Sequence, residues 1–110
     1  MDHHDLTQQK CIPCEVGGAP LAQEEATFYM KDVPLWTIDG DYKKISRSYK
    51  FKDFKEAILF VNVIAELVEK EGHHPDIFIS YNKVMLELTT HAMKGLSVND
   101  FIVAAKIDKL

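Results

Sequence analysis

The longest regular pattern of apolar and polar positions in the chain lies at residues 53–71. Apolar side chains recur there at spacings of three and four, the period of an amphipathic helix, and Gly72 follows as a typical helix stop. A second apolar stripe consists of Phe60, Val63, Ile64 and Leu67. Since a sheet covers only one face of a helix, the two stripes predict a helix that is also buried against another subunit.

Shorter segments show the alternation of apolar and polar residues that is typical of half-buried strands. The clearest runs from Ile45 to Phe51, with Arg47 as the exception on the inward-facing positions, and the turn signal Asp39-Gly40 precedes it. The other predicted strands are a short one around Trp36 and Ile38, and longer ones at residues 76–80 and 84–90, which are joined near Tyr81-Asn82-Lys83.

Two shorter helices complete the pattern. Gln23–Lys31 has an acidic first turn and ends before Pro34. The residues from Ser97 to Asp100 form a start similar to a capping box, with Asp in place of the usual Glu or Gln, and open a final helix. In this order the elements predict an α+β fold, in which a four-stranded antiparallel sheet has helices packed on one face.

The N-terminal third of the chain differs in character from the rest. Residues 1–22 are polar, aperiodic and punctuated by Gly and Pro, which predicts an extended or loosely packed arm that carries a Cys11-Ile-Pro-Cys14 sequence. We therefore divide the chain into an N-terminal arm with a short helix, residues 1–33, and a main domain, residues 34–110.

Composition restricts the function further. A chain of 110 residues with 46% apolar content forms one domain with a modest core. The net charge of -4 argues against a nucleic-acid partner, because phosphates require a concentrated positive patch. No apolar run approaches the ~20 residues that span a bilayer, and the N-terminus shows no signal peptide. These features predict a cytoplasmic protein without a membrane partner.

The clearest candidate for chemistry is a histidine pair at the end of the long helix. His73 and His74 follow Gly72, so the terminal helix carbonyls lie close to both rings and favour their protonated form. Pro75 restricts His74 to an extended conformation. Because histidine exchanges protons near neutral pH, a rigidly presented pair suits acid–base chemistry on a small polar molecule.

Three more ionisable residues are candidates for the same pocket. Glu69 lies one helical turn before the pair, His91 ends the last predicted strand, and Asp100 is the third residue of the final helix. Each also has a simpler explanation. Glu69 suits a solvated helix face, His91 suits a structural role, and capping alone accounts for Asp100.

A metal site is the main alternative. Zinc bound through Cys11, Cys14 and a histidine remains open, although a single Cys-x-x-Cys lacks the second pair of ligands that zinc sites usually have. Adjacent histidines point apart when the chain is extended, so His73 and His74 are poor joint ligands. The residues therefore favour a site without metal.

The spacing of these residues resembles that of the pterin-4a-carbinolamine dehydratase family, also called 4a-hydroxytetrahydrobiopterin dehydratases. The family pattern is an acid, three residues, His-His-Pro, an aromatic residue after five or six more, a His after a further nine, and an Asp at least eight residues later. This chain presents Glu69, His73-His74-Pro75, Tyr81, His91 and Asp100 at those intervals. The likeness covers about residues 34–108, and so many fixed spacings make it specific.

The resemblance implies a hydro-lyase that needs no cofactor. It would dehydrate 4a-hydroxytetrahydropterin to quinonoid dihydropterin and water, and so recycle the pterin of phenylalanine hydroxylase. His73 and His91 would be the main proton-transfer groups, and His74 would mainly bind the pterin. The implied catalytic residues are His73, His74 and His91; the implied substrate-binding residues are His73, His74, Pro75, Thr90 and His91, supported by Glu69 and Asp100.

The resemblance also implies a homodimer or homotetramer. A pterin-binding role in molybdopterin metabolism and a non-enzymatic dimerisation module are the alternatives that it leaves open. The chain departs from the family pattern after His91, where Ala92-Met93-Lys94-Gly95 replaces the acid and the Gly pair that are often present. That loop would therefore contact the substrate through its backbone.

Overall fold

The computed structural model describes residues 5–11 and 18–110. Its elements are α1 (Gln23–Met30), β1 (Thr37–Ile38), β2 (Ile45–Lys50), α2 (Phe54–Glu71), β3 (Asp76–Ser80), β4 (Lys83–Leu88) and α3 (Val98–Asp108), with short 3-10 helices at Leu6–Gln8 and His91–Met93. The predicted elements are all present, and their bounds differ from the predictions by a few residues at most.

The strands form a single antiparallel sheet in the order β1-β2-β4-β3. Alternate side chains of the central strand β4 are fully buried on one face, where Leu88 lies opposite the buried Ile45 of β2. The same face carries Val84 and Leu86, and the helices pack against it. The predicted α+β class with a four-stranded antiparallel sheet is therefore confirmed.

Local signals set both ends of α2. The Asp53 side chain accepts a hydrogen bond from the backbone N–H of Glu56 at 2.9 Å, which satisfies one of the free N–H groups of the first turn. At the other end Gly72 adopts the left-handed conformation with φ of 69°. Only glycine reaches this conformation without a steric penalty, so the helix ends there and the chain turns into the histidine pair.

The final helix α3 is buried on almost every side. Seven consecutive residues, 99–105, are buried, because α2 packs on one side and residues 5–11 on another. Leu6 is only 2% exposed and belongs to the core. The prediction of an extended or loosely packed arm was therefore wrong for residues 5–11. A short aperiodic segment gives no periodic signal, although one leucine is enough to anchor it.

Arg47, the exception on the inward face of β2, is paired rather than solvated. Its Nη1 donates to Asp108 Oδ1 at 2.5 Å, and Trp36 Nε1 donates to the same oxygen at 2.9 Å. The guanidinium carbon also lies 4.5 Å from the centre of the Tyr49 ring. The arginine thus joins the sheet to the end of α3.

Within the described ranges, every helix is too short or too polar to cross a membrane.

The left-handed Gly72 makes a stability prediction possible. Gly72→Ala meets no atom within 4 Å, so its cost comes from the backbone alone. We expect the free energy of unfolding to fall by about 1 kcal/mol in urea titrations. Gly40→Ala is the matched control, because Gly40 also has open space around it and its φ is not positive. Equal effects of the two substitutions would contradict the prediction.

Candidate active site

Four chain segments meet at one end of the sheet. The C-terminus of α2 leads through Gly72 to the histidine pair and β3, while β4 returns antiparallel to end beside the start of β3, where Asp76 lies opposite Glu87. Continuing this register places residues 73–75 beside residues 88–90. The first turn of α3 approaches the same end, so the predicted site residues from α2, β4 and α3 come together.

His73 is held by a buried carboxylate. Its Nε2 lies 2.6 Å from Asp100 Oδ1, and the side chains are 14% and 0% exposed respectively. When the carboxylate is ionised and the ring is neutral, the ring hydrogen lies on Nε2 and Nδ1 is left as an acceptor, because an ionised carboxylate can only accept. The contact fixes the orientation of the ring.

The second carboxylate oxygen of Asp100 accepts hydrogen bonds from two neighbouring residues. Asp100 Oδ2 accepts from the backbone N–H of Ser97 at 3.0 Å and from the Thr90 hydroxyl at 2.8 Å. The Ser97 and Thr90 hydroxyl oxygens are 2.7 Å apart, and since the Thr90 proton points to Asp100, Ser97 is the donor between them. Helix capping and histidine orientation are thus performed by different oxygens of one carboxylate.

His74 is paired in a different environment. Its Nε2 lies 2.6 Å from Glu69 Oε2, but the side chains are 54% and 75% exposed. Water competes with such a contact, which is worth at most about 1 kcal/mol. Glu69 therefore biases the direction of the His74 ring, while the ring stays open to an incoming molecule.

His91 lies at the start of a 3-10 helix and is exposed. The chain reaches it from Thr90, whose N–H donates to the Gly95 carbonyl at 2.8 Å in an isolated bridge, while Lys94 closes the loop with φ of 57°. This bridge draws residues 89 and 90 out of the predicted strand 84–90, because Thr90 pairs with Gly95 and not with β2 or β3. The loop presents the His91 ring to solvent.

Two of the predicted substrate-binding residues are in the interior. Pro75 is buried, and Thr90 is 3% exposed with its hydroxyl engaged as described above. Tyr81, the aromatic residue of the sequence pattern, lies just beyond the opposite end of β3, seven residues after His74 and about 23 Å from it along an extended chain. It is 65% exposed in a turn with φ of 53°. The structure does not bring it to the site.

Ser97 belongs to the site but was not predicted to do so. The sequence marks Ser97 only as a helix start, and the contact of Asp100 with Ser97 coexists with its contact with His73. For the metal alternative, no group of three or more His, Cys, Asp or Glu side chains suited to an ion is found in the described part of the chain. Cys14 lies outside the described residues.

The Cys11 thiol lies in a partly buried environment beside a carboxylate. Burial, and then the negative charge of Glu71, raise the pKa of the Cys11 thiol to about 12. The thiol is therefore protonated at neutral pH, which disfavours thiol exchange because that reaction requires the thiolate.

The arrangement combines one fixed imidazole with two accessible ones. His73 is oriented by a carboxylate in the core, while His74 and His91 are exposed on the flanking segments. Imidazoles with a positioned carboxylate partner transfer protons efficiently, because the carboxylate stabilises the imidazolium that forms. The site is therefore suited to moving protons to and from a small molecule bound at this end of the sheet.

Comparison with known proteins shows to which family the chain is similar. Residues 19–110 match the family model described as pterin 4 alpha carbinolamine dehydratase. A protein of Alkaliphilus metalliredigens, provisionally named a pterin-4-alpha-carbinolamine dehydratase, is 46% identical over 107 residues that cover 96% of both chains. A relative from Methylococcus capsulatus with the same provisional name is 44% identical over 110 residues, 100% of this chain and 96% of its own.

A solved structure shows the same fold. The crystal structure of a transcriptional coactivator/pterin dehydratase from Brucella melitensis is 33% identical, with a TM-score of 0.75 over 82% of this chain and 96% of its own. The family model and the relatives both cover the segments that carry His73, His91 and Asp100. This chain belongs to the pterin-4a-carbinolamine dehydratase family.

Proposed function

We propose that the protein dehydrates 4a-hydroxytetrahydropterin by acid–base catalysis with histidines. In this reaction the bond between C4a and the hydroxyl oxygen breaks, the hydroxyl leaves as water after gaining a proton, and N5 loses its proton as the N5=C4a double bond forms. The atoms balance without an oxidant or a metal. The protein has to supply one proton donor, one proton acceptor and a surface that holds the pterin.

The contact between His73 and Asp100 is the observation that carries the proposal. Because Nε2 of His73 faces the carboxylate, Nδ1 is the nitrogen available to a substrate, and in the neutral ring it is an acceptor. His73 is thus suited to take the N5 proton. His91 then protonates the departing hydroxyl, and the exposed His74, steered by Glu69, binds the pterin.

The physiological role that we propose rests on the expected product. Quinonoid dihydropterin is the form that a reductase returns to tetrahydropterin, so we assign the protein to cytoplasmic pterin recycling for an aromatic amino acid hydroxylase such as phenylalanine hydroxylase. A role in molybdopterin metabolism would use the same pterin surface but would not require turnover. Turnover of the carbinolamine by the purified protein separates the two.

The first prediction concerns the proton-transfer groups. Purified protein should accelerate the loss of carbinolamine absorbance without added metal, and His73→Ala combined with His91→Ala should lower kcat by about 100-fold or more. His74→Ala should mainly raise KM, since it removes binding and not proton transfer. Far-UV circular dichroism checks that each variant is folded. A fully active double variant would refute the assignment.

The second prediction separates the two roles of Asp100. In Asp100→Asn the amide nitrogen faces His73 and forces the other tautomer, so kcat should fall by about 100-fold or more. Ser97→Ala removes the neighbouring hydroxyl but leaves the carboxylate on His73. It should lower the free energy of unfolding by about 1 kcal/mol, with kcat nearly unchanged. If Asp100 is only a cap, both variants will lose stability and neither will lose kcat beyond its folded fraction.

The protein is also proposed to be a homo-oligomer, with a second copy covering the outer face of α2. Leu59 and Val63 are one turn apart on that face and are 61% and 48% exposed. An apolar face of this kind on a folded domain is typical of an interface. The same face would serve the alternative of an interaction module, which would not depend on the histidines.

The third prediction tests this interface. Leu59→Glu combined with Val63→Glu should convert a dimer or larger species to a monomer in light-scattering measurements, because two desolvated charges cannot be buried there. The matched control is Gln23→Glu with Thr27→Glu, which adds the same charges at the same spacing on exposed positions of α1. Wild-type protein that is monomeric at micromolar concentration would contradict the proposal.

A further inference from the structure

The last residue of α2 is held from two sides inside the protein. Glu71 Oε2 accepts from Lys106 Nζ at 2.5 Å, and Glu71 Oε1 accepts from the backbone N–H of Cys11 at 3.2 Å. The ion-paired side chains are 9% and 15% exposed for Glu71 and Lys106. Glu71 thereby connects α2 both to α3 and to the segment formed by residues 5–11, called here the N-terminal segment.

The N-terminal segment also touches the first turn of α3. The Cys11 thiol donates to the backbone oxygen of Asn99 at 3.7 Å, and Asn99 immediately precedes Asp100. Leu6 anchors the other end of the segment in the core. One short stretch of chain therefore contacts the residue before Asp100 and the residue two positions before His73.

These contacts flank the hydrogen bond on which the site depends. His73 and Asp100 belong to different elements, and only Gly72 separates His73 from Glu71. A catalytic group has to stay within about 0.5 Å of its working position, so relative movement of the α2 terminus and α3 would separate the imidazole from its carboxylate. A connection through Glu71 limits that movement.

Stability alone is a poor explanation for the buried pair. Desolvation of two charges largely cancels their attraction, and well-packed apolar residues in the same places are often at least as stable. Its contacts instead fix the orientation of the Glu71 side chain, because each carboxylate oxygen accepts from one donor.

Burial acts to raise the pKa of Glu71, but the hydrogen bonds from Lys106 and Cys11 outweigh it and hold this pKa below the ordinary 4.5. Glu71 stays charged at neutral pH.

We propose that the N-terminal segment is a positioning element for the active site, which fixes His73 against Asp100 by holding Glu71 through the Cys11 N–H. Glu71, Lys106 and Cys11 are positioning residues and do not touch the substrate. The kinetic consequence rests on the proposed dehydratase function, whereas the structural consequence can be measured without it.

Two double variants isolate the contact to Cys11. Glu71→Gln with Lys106→Met removes the ion pair but keeps an acceptor for the Cys11 N–H, while Glu71→Leu with Lys106→Met removes the acceptor as well. The lysine change is the same in both, and neither variant leaves a buried unpaired charge. They differ in whether the side chain at position 71 offers an acceptor to the Cys11 N–H.

The structural readout is the downfield proton resonance of the His73 imidazole N–H, identified by its loss in His73→Gln. The Gln variant should keep this resonance, and the Leu variant should lose it or broaden it while the protein stays folded by circular dichroism. In the carbinolamine assay the Leu variant should have kcat about tenfold or more below that of the Gln variant, with KM within about twofold. A Leu variant that is folded and keeps both the resonance and kcat would overturn the proposal.

A second pair of variants tests the segment without changing Glu71. Leu6→Asn places an amide in the core and should release the segment, whereas Gln8→Asn puts the same residue at an exposed position two residues away. Only Leu6→Asn should lose the His73 resonance, and an unchanged resonance in folded Leu6→Asn would refute the proposal. If the wild-type protein does not dehydrate the carbinolamine, the proposed function fails, but the resonance still decides on positioning.

Discussion

The fully buried carboxylate of Asp100 is the constraint around which this end of the molecule is built. A buried charge is tolerated only when hydrogen bonds compensate for the lost water. Here the donors come from three segments: His73 after α2, Thr90 after β4 and the Ser97 backbone before α3. These segments must therefore meet in one arrangement, and that arrangement fixes an imidazole at the surface of the core.

Contacts elsewhere in the fold hold these three segments in place. The helix α3 is buried on nearly all sides, so the first turn that carries Asp100 has little freedom. Glu71 and Lys106 join α3 to the end of α2, and Arg47 with Asp108 joins the other end of α3 to the sheet. His73 is fixed by a contact with this interior, while His74 and His91 lie on exposed segments. A fixed imidazole beside accessible ones suits the proposed chemistry on a small molecule that must enter and leave.

Most of the fold could be predicted because its signals are local. The period of the apolar residues, the Asp53 cap and the left-handed Gly72 act within a few residues of themselves, and they set α2 correctly. Predictions were wrong where distant contacts decide. The N-terminal segment packs through the buried Leu6 and the contacts of Cys11, and the end of β4 leaves the sheet because Thr90 pairs with Gly95. None of these contacts produces a periodic pattern along the chain.

For the site, the sequence by itself determined the candidate residues, the rigid corner of His73, His74 and Pro75, and the family to which the chain belongs. It could not decide whether Asp100 caps a helix or serves the histidines, because both readings use the same local spacing. Only the tertiary structure decided this, by directing one oxygen to Ser97 and the other to His73. It also decided which histidine is fixed and that Tyr81 lies elsewhere, because burial and direction arise only when α2, β4 and α3 pack together.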